Sequence, residues 1–552
     1  MKDRQIGLVL CLVALSAALS SCLSPQSGTC PKCDDQQLII GDDIAVVQTQ
    51  YGAVRGYILR DVYTFLGIPY GASTAGENRF MPPVEPKAWK DTLDVVFYGN
   101  VSPQNMENRY SNAMSSFRDH WNYTDAGEDC LKLNVWTPAT DSGKRPVLVW
   151  MHGGGYTSGN GIEQDGYSGA NLAGSADVVF VSVNHRLGPV GYSDFSAVDP
   201  RFKASGNAGV LDLVQALRWV HDNIASFGGD PSNVTIMGQS GGGSKVCTVL
   251  AMPTSAGLVS KAVPLSGNST AAMDQSVSQE IGRRIYAKAG KDMKKLQDMP
   301  WREYLALANE AAAEYNRDMG LAGGTTLTSR FRRAGFSPVA DGEIIPKGNF
   351  YSDHLDAASA KVPMMLCSTA TEFASSANDP ALDKISKEEA VATLAKTYGE
   401  EKAAKAYEAI SSSMPDWTPF KIMAFITSGF RSGVVNTALS KYAQGAPVYV
   451  ALFDWDSPLF DGRMHSPHCS DICFWFRNTD LMLTHTGGGA KPRALSGKMS
   501  GALLSFMRTG NPNCDGLPQW DAFNPDTRVT MVLDDECHPV QNLDTEEMEV
   551  LK

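Results

Sequence analysis

The sequence lacks most of the signals that settle a protein's class at once. It has no internal repeat and no low-complexity tract, which excludes solenoids, rods and disordered scaffolds. It has no surplus of positive charge: 48 Lys and Arg stand against 60 Asp and Glu, for a net charge of -12. That balance removes the electrostatic reason to expect nucleic acid as a partner. Beyond residue 19 no apolar run approaches the roughly 18 residues that a membrane span needs. No Pro/Gly-rich linker divides the chain. No cluster of His, Cys, Asp or Glu has zinc-like spacing, and His465 and His468 lack further ligands. Neither a metal nor another cofactor is implied.

What is present begins with an export signature. Met1-Lys2-Asp3-Arg4 is a short basic segment, and Ile6 to Leu19 is a 14-residue apolar stretch. That is too short to span a bilayer comfortably and reads as the core of a signal peptide. Leu19-Ser20-Ser21-Cys22 follows and resembles a bacterial lipobox, in which Cys22 is lipidated and becomes the first mature residue. A plain secretory signal cut nearby, or an uncleaved anchor, is the alternative. The expectation is a signal peptide over 1–21, a tether over 22–42 and one globular domain over 43–552. The protein would be exported to a bacterial cell envelope, touching membrane only through the lipid. With Cys11 in the signal and Cys22 acylated, nine of the 11 cysteines remain, so at least one thiol stays unpaired. Cys30 and Cys33 are a local disulfide or two free thiols, and Cys514 and Cys537 could close a loop.

At 552 residues and 43% hydrophobic, the chain can bury a large core. Its first half alternates strands and helices, which predicts an α/β fold with a mainly parallel sheet covered on both faces. Apolar runs at Pro146–Met151, Val178–Val183 and Val234–Met237 read as buried strands. Residues 207–227 have helical spacing, with Val210, Leu213, Val214, Leu217, Val220 and Ile224 on one side. Residues 270–340 and 385–445 read as mostly helical insertions, with strands near Val362–Leu366 and Val448–Phe453.

The strand at Val234–Met237 runs into Gly238-Gln239-Ser240-Gly241-Gly242-Gly243. A serine on a sharp strand-to-helix turn needs small residues two positions before and two after, because the backbone doubles back there. The turn exposes the hydroxyl, and the helix N-terminus behind it favours negative charge. Such a pentapeptide also arises by chance in a glycine-rich chain, so its context decides. His152-Gly153-Gly154-Gly155-Tyr156 directly follows another strand. Consecutive glycines allow close approach of backbone N–H groups to a developing oxyanion. Gly154, Gly155 and Gly241 would supply three donors, whereas His152 reads as a residue that packs the loop.

With these segments the chain resembles the type-B carboxylesterases, the family of the cholinesterases and the bacterial para-nitrobenzyl esterases. The likeness runs in order from about residue 45 to 535. It includes Tyr51-Gly52-Ala53-Val54-Arg55-Gly56, Phe65-Leu66-Gly67-Ile68-Pro69-Tyr70, Arg79-Phe80-Met81-Pro82-Pro83 and Glu128-Asp129-Cys130-Leu131-Lys132-Leu133-Asn134. It continues through Asn184-His185-Arg186-Leu187-Gly188-Pro189 to Thr509-Gly510-Asn511-Pro512. The resemblance implies an α/β-hydrolase fold and a serine carboxylic ester hydrolase acting on a small ester through an acyl-enzyme. It implies Ser240 as nucleophile, Glu372 as acid and His468 as base, with His465 as the competitor for that role. A lipase acting on longer acyl chains, or a silent binding protein on the same fold, is the rival reading.

Several positions depart from the family's pattern. Gln239 stands where glutamate is usual, which argues against cationic esters. Gly241 replaces alanine, Phe373 replaces the glycine after the acid, and Cys473 replaces proline. Ser102 stands where Cys130 would find its disulfide partner, so Cys130 is expected as a buried free thiol. Trp121, Trp455 and Trp475 could stack on substrate or simply pack.

Overall fold

The structure, a computed structural model, describes residues 36–105, 117, 122, 124–322 and 333–552. Its centre is a 12-stranded sheet. From edge to edge the strands are Leu38–Ile39, Tyr57–Leu59, Val62–Pro69, Lys132–Thr137, Val179–Val183, Arg145–Met151 and Gly229–Gln239. Lys261–Leu265, Met364–Thr369, Val448–Phe453, Thr530–Leu533 and His538–Val540 complete it. Every pairing from Val179–Val183 through Thr530–Leu533 is parallel, and the outer pairings on both sides are antiparallel.

The continuous apolar runs are what such a sheet requires, since both faces of its central strands are covered. In Arg145–Met151, Val147, Val149 and Met151 join one buried cluster while Leu148 and Trp150 join the other. Alternate side chains of a strand point to opposite faces. Helix Ala208–Asn223 closes the first face with Val210, Leu213, Val214, Leu217 and Val220. A turn of 3-10 helix then ends at Gly228, whose φ of 80° stops the helical path. Helix Ala490–Thr509 closes the second face with Leu495, Met499, Leu503 and Phe506. Arg186 ties the first layer to the loops: its Nε and Nη2 donate to Asp212 Oδ2 and Oδ1 at 2.8 and 2.6 Å. Both side chains are buried.

The second half supplies helices Gln275–Lys288 and Trp301–Asp318, then Lys387–Tyr398, Glu400–Ser413, Pro419–Ser428 and Phe430–Ala443. Lys387–Tyr398, Glu400–Ser413 and Pro419–Ser428 build a third apolar cluster against Leu452 and Val532, while Val434, Val435 and Ala438 of Phe430–Ala443 join the first. The C-terminal helix Thr545–Leu551 follows Asp544, whose carboxylate pairs with buried Arg431 at 2.5 Å. Among the described residues no helix is long and apolar enough to cross a membrane.

Some boundaries need correction. Leu38 and Ile39, expected in the tether, pair antiparallel with Leu59 and Ile58, so the tether ends sooner. Two apolar residues suffice to add a rung at an open sheet edge, and a reading by composition passes over so short a strand. The strand expected from Val234 already pairs at Gly229, with a register shift across Asp230-Pro231-Ser232. The strand expected over Val362–Leu366 runs Met364–Thr369. Cys130 is a buried free thiol as expected, pushed up to about 12 by burial. Ser102 instead accepts the Leu187 N–H at 2.9 Å. Cys514 and Cys537 are also free, so the loop closure considered for them is not made. Cys11, Cys22, Cys30, Cys33 and Trp121 lie outside the described residues.

Candidate active site

Strand Gly229–Gln239 meets helix Gly241–Ala251 at Ser240, whose φ of 58° and ψ of -126° are costly for a residue with a side chain. The flanking glycines make the turn possible. A Cβ on Gly238 would lie 2.5 Å from the Gly242 carbonyl group, and one on Gly242 would lie 2.0 Å from the Met151 oxygen. A third neighbour, Gly267, passes so close that its Cβ would fall 1.6 Å from the Ser240 oxygen. The Ser240 N–H donates to Leu265 O at 2.8 Å, which fastens the turn to the next strand.

The glycine loop leaves the end of Arg145–Met151 and lies against this turn. Gly154 and Gly155 have φ of 81° and 62°, which favours glycine. A Cβ on Gly241 would sit 2.1 Å from Gly155 O. The family's usual alanine would therefore not fit this approach without moving the loop, so glycine at 241 and the tight loop belong together. Among the described residues no acceptor pairs with the amides of Gly154, Gly155 or Gly241. Behind the loop, His152 Nδ1 lies 2.9 Å from Gly153 O, and its ring stacks on His185 at 5.0 Å. Burial holds both imidazoles well below their ordinary range, hence neutral, which fits the expected packing role of His152. Lys245, fully buried on the helix that Ser240 opens, donates to His152 O at 2.9 Å.

Glu372 follows strand Met364–Thr369 with a φ of 47°. Its buried carboxylate is fully engaged. Oε2 lies 2.5 Å from His468 Nδ1, while Oε1 accepts from Ser266 Oγ at 2.8 Å and from the Thr369 N–H at 3.0 Å. The His468 N–H also donates to Glu372 O at 2.8 Å. Sequence reasoning missed Ser266. Its only signal is its place directly after strand Lys261–Leu265, beside Gly267.

His468 is therefore fixed from several sides. Gln239 Nε2 lies 3.3 and 3.4 Å from its two ring nitrogens, and Gln239 Oε1 accepts the Cys469 thiol at 3.1 Å. The Phe373 ring is 4.1 Å away and the Phe430 ring 5.3 Å. Two departures from the family pattern, Gln239 and Phe373, thus both pack on this imidazole. No hydrogen bond joins it to the Ser240 hydroxyl in this structure.

The competitor histidine sits elsewhere. His465 Nε2 is 2.9 Å from Asp383 Oδ1 and 3.2 Å from Ser376 Oγ, with its ring stacked on Phe420 at 5.0 Å. Asp471, three residues past His468, accepts the Trp475 indole N–H at 3.1 Å. Burial, with Glu372 adding to it, pushes Asp471 up to about 7. Trp455 donates to Asp535 at 3.1 Å; it and Trp475 are buried packing residues.

Known proteins agree with this architecture. The profile of the carboxylesterase family matches residues 43–551. Para-nitrobenzyl esterase of Bacillus subtilis is 31% identical over 503 residues, covering 89% of this chain and 95% of that protein. Phenmedipham hydrolase of Pseudarthrobacter oxydans is 29% identical, with the same coverage of 89% and 95%. Among solved structures, a Clostridium hathewayi esterase described as hydrolysing aliphatic aromatic polyesters superposes with a TM-score of 0.79 at 32% identity. It covers 93% of this chain and 99% of its own. The carboxylesterase of Geobacillus stearothermophilus gives 0.72 at 29% identity, covering 92% and 100%. The chain belongs to the carboxylesterase family, and it is a serine carboxylic ester hydrolase on the α/β-hydrolase fold.

Proposed function

We propose that the chain cleaves neutral carboxylic esters through an acyl-enzyme, with Ser240 as nucleophile, His468 as general base and acid, and Glu372 as the group that orients it. The observation that carries this reading is the 2.5 Å contact from Glu372 to His468 Nδ1, made beside the strained turn at Ser240. With Nδ1 committed to the carboxylate, Nε2 is the nitrogen that takes the Ser240 proton as the hydroxyl attacks the ester carbonyl. Catalytic hydrogen bonds often tighten only once substrate is bound, and in that complex Nε2 takes up the Ser240 hydroxyl in place of its contact with Gln239. The amides of Gly154, Gly155 and Gly241 receive the oxyanion. Collapse expels the alcohol with the proton from His468, and water repeats the sequence to release the acid. Gln239 supports neutral substrates, because it puts an uncharged amide where a carboxylate would attract a cation.

A burst of para-nitrophenol from para-nitrophenyl acetate tests this. Ser240→Ala should abolish the burst and lower kcat by at least about 10³-fold, and unchanged turnover would overturn the reading. The same proposal places the protein in a bacterial cell envelope, exported by residues 1–21 and held by lipid on Cys22. The small residues before Cys22, after a 14-residue apolar stretch, support this. Palmitate label should be absent from Cys22→Ala, and label that persists there would refute the anchor.

A further inference from the structure

Lys245 buries its amino group behind the glycine loop and against the Tyr156 ring. It lies five residues after Ser240 on the same helix and is 0% exposed. A residue there could fill the same space with a methionine or leucine. Burying a charge in a protein interior is costly unless something is gained from it. Its contacts show what is gained. Nζ donates to His152 O at 2.9 Å and reaches Gly153 O at 3.5 Å. His152 Nδ1 meets the same Gly153 oxygen at 2.9 Å.

In a trans peptide the C=O and N–H of one plane point in opposite directions. Holding the Gly153 carbonyl toward Lys245 therefore turns the N–H of Gly154 away from it. The carbonyl end of that plane takes two donors, and hydrogen bonds at one end of a peptide strengthen the donor at the other. The loop approaches the nucleophile closely, since a Cβ on Gly153 would lie 3.5 Å from Ser240 Cβ. Nucleophile, the Gly241 amide and the cation that anchors the loop thus all stand on one rigid helix start. The titratable groups facing Lys245 are His152, His185, Glu163 and Tyr156, whose ring centroid is 5.8 Å from Nζ. The two imidazoles are neutral, and Glu163 is the acid whose charge favours the ammonium. Burial is the larger effect and pushes Lys245 down to about 7.

We propose that Lys245 is a positioning residue for ester hydrolysis: it fixes the His152 and Gly153 carbonyls, aims the Gly154 amide at the substrate's carbonyl oxygen, and adds positive potential beneath the oxyanion. This rests on the assignment of Ser240 as nucleophile and goes beyond it by extending the machinery into the helix behind the loop.

Lys245→Met keeps the volume and removes both donor and charge. It should lower kcat for para-nitrophenyl acetate by about 10- to 100-fold while KM stays within about twofold. A trifluoromethyl ketone forms a tetrahedral oxyanion on serine, so its affinity should weaken by the same factor. Lys245→Arg, which keeps donor and charge, should restore most of kcat. Titration with diethyl para-nitrophenyl phosphate counts intact Ser240 in each variant and so removes misfolded protein from the comparison. Full kcat per titrated serine, with unchanged ketone affinity in Lys245→Met, would overturn the proposal. If that variant does not fold, Lys245→Gln, a neutral donor, takes its place. An intermediate loss supports the role, and full kcat with full ketone affinity overturns it. Activity surviving in Ser240→Ala would instead remove the underlying nucleophile assignment, a distinguishable failure.

Discussion

His465 and His468 are three residues apart and end in unrelated surroundings. One bonds to Asp383 and Ser376 and stacks on Phe420; the other bonds to Glu372 under Gln239 and Phe373. Their substitutions should therefore fail in different ways. His468→Ala should lower kcat by at least about 10³-fold, and it should also cost roughly 1–3 kcal/mol because the buried Glu372 carboxylate loses its partner. His465→Ala should leave kcat within about tenfold while costing roughly 1–3 kcal/mol, because Asp383 and Ser376 lose a buried partner. Activity per folded protein, with the folded fraction read from urea unfolding, separates the two, and a large loss of kcat confined to His465→Ala would move the base to His465. At this scale the sequence is legible where chemistry is written in consecutive residues, as around Ser240 and Gly153–Gly155. Ser266 and Lys245 were not legible. Each matters through a partner distant in sequence, Glu372 for one and the His152 carbonyl for the other. Asp471, three residues past His468, bonds to Trp475 rather than to either histidine.

The strand-turn-helix around Ser240 is an element under steric control. Gly242 cannot carry a side chain without pushing Met151 O away, and that oxygen lies at the end of the strand that launches the glycine loop. Gly242→Ala should cost about 1–3 kcal/mol and, by shifting the loop, lower kcat by more than about tenfold. Gly497, inside helix Ala490–Thr509 with open space around it, is the control. Gly497→Ala should stabilise by up to about 1 kcal/mol. If both alanines behave alike, close packing at the turn is not what selects glycine there. Elements themselves were readable wherever a face is continuously apolar, which is why the central strands and helix Ala208–Asn223 matched expectation. Their ends were less readable. Gly229 pairs before the Asp230-Pro231-Ser232 turn because the neighbouring strand at Arg145 offers it a partner, and sequence carries no trace of that neighbour.

At the scale of the whole molecule, the C-terminal helix closes the third apolar cluster and brings Glu547 near the Arg431–Asp544 pair. Burial first, and then Asp544, push Glu547 up to about 8, with Arg431 opposing. Between about pH 4.5 and 8 the folded protein therefore holds a proton that the unfolded chain has released. Stability contributed by this group is complete below about 4.5, falls as pH rises toward 8, and is level above that. Lys245 and Lys441, both pushed down to about 7 by burial, act the other way, since their burial cost eases as pH rises from about 7 toward 10.5. Glu547→Gln should flatten the decline between pH 5 and 8 in urea unfolding. A decline as steep as in the unmodified protein would show that the group titrates normally.

The order of the site's parts along the chain also sets a timetable. The glycine loop and Ser240 come from the first half, whereas Glu372 and His468 come from loops that follow strands laid down later, Met364–Thr369 and Val448–Phe453, and Thr530–Leu533 must still add beside the second of these. Some 230 residues separate the proposed nucleophile from its base, which at ordinary rates of ribosomal synthesis is ~10–50 s. Throughout that interval a nascent chain carries the hydroxyl without the imidazole, so hydrolytic competence arrives only as the polypeptide is finished.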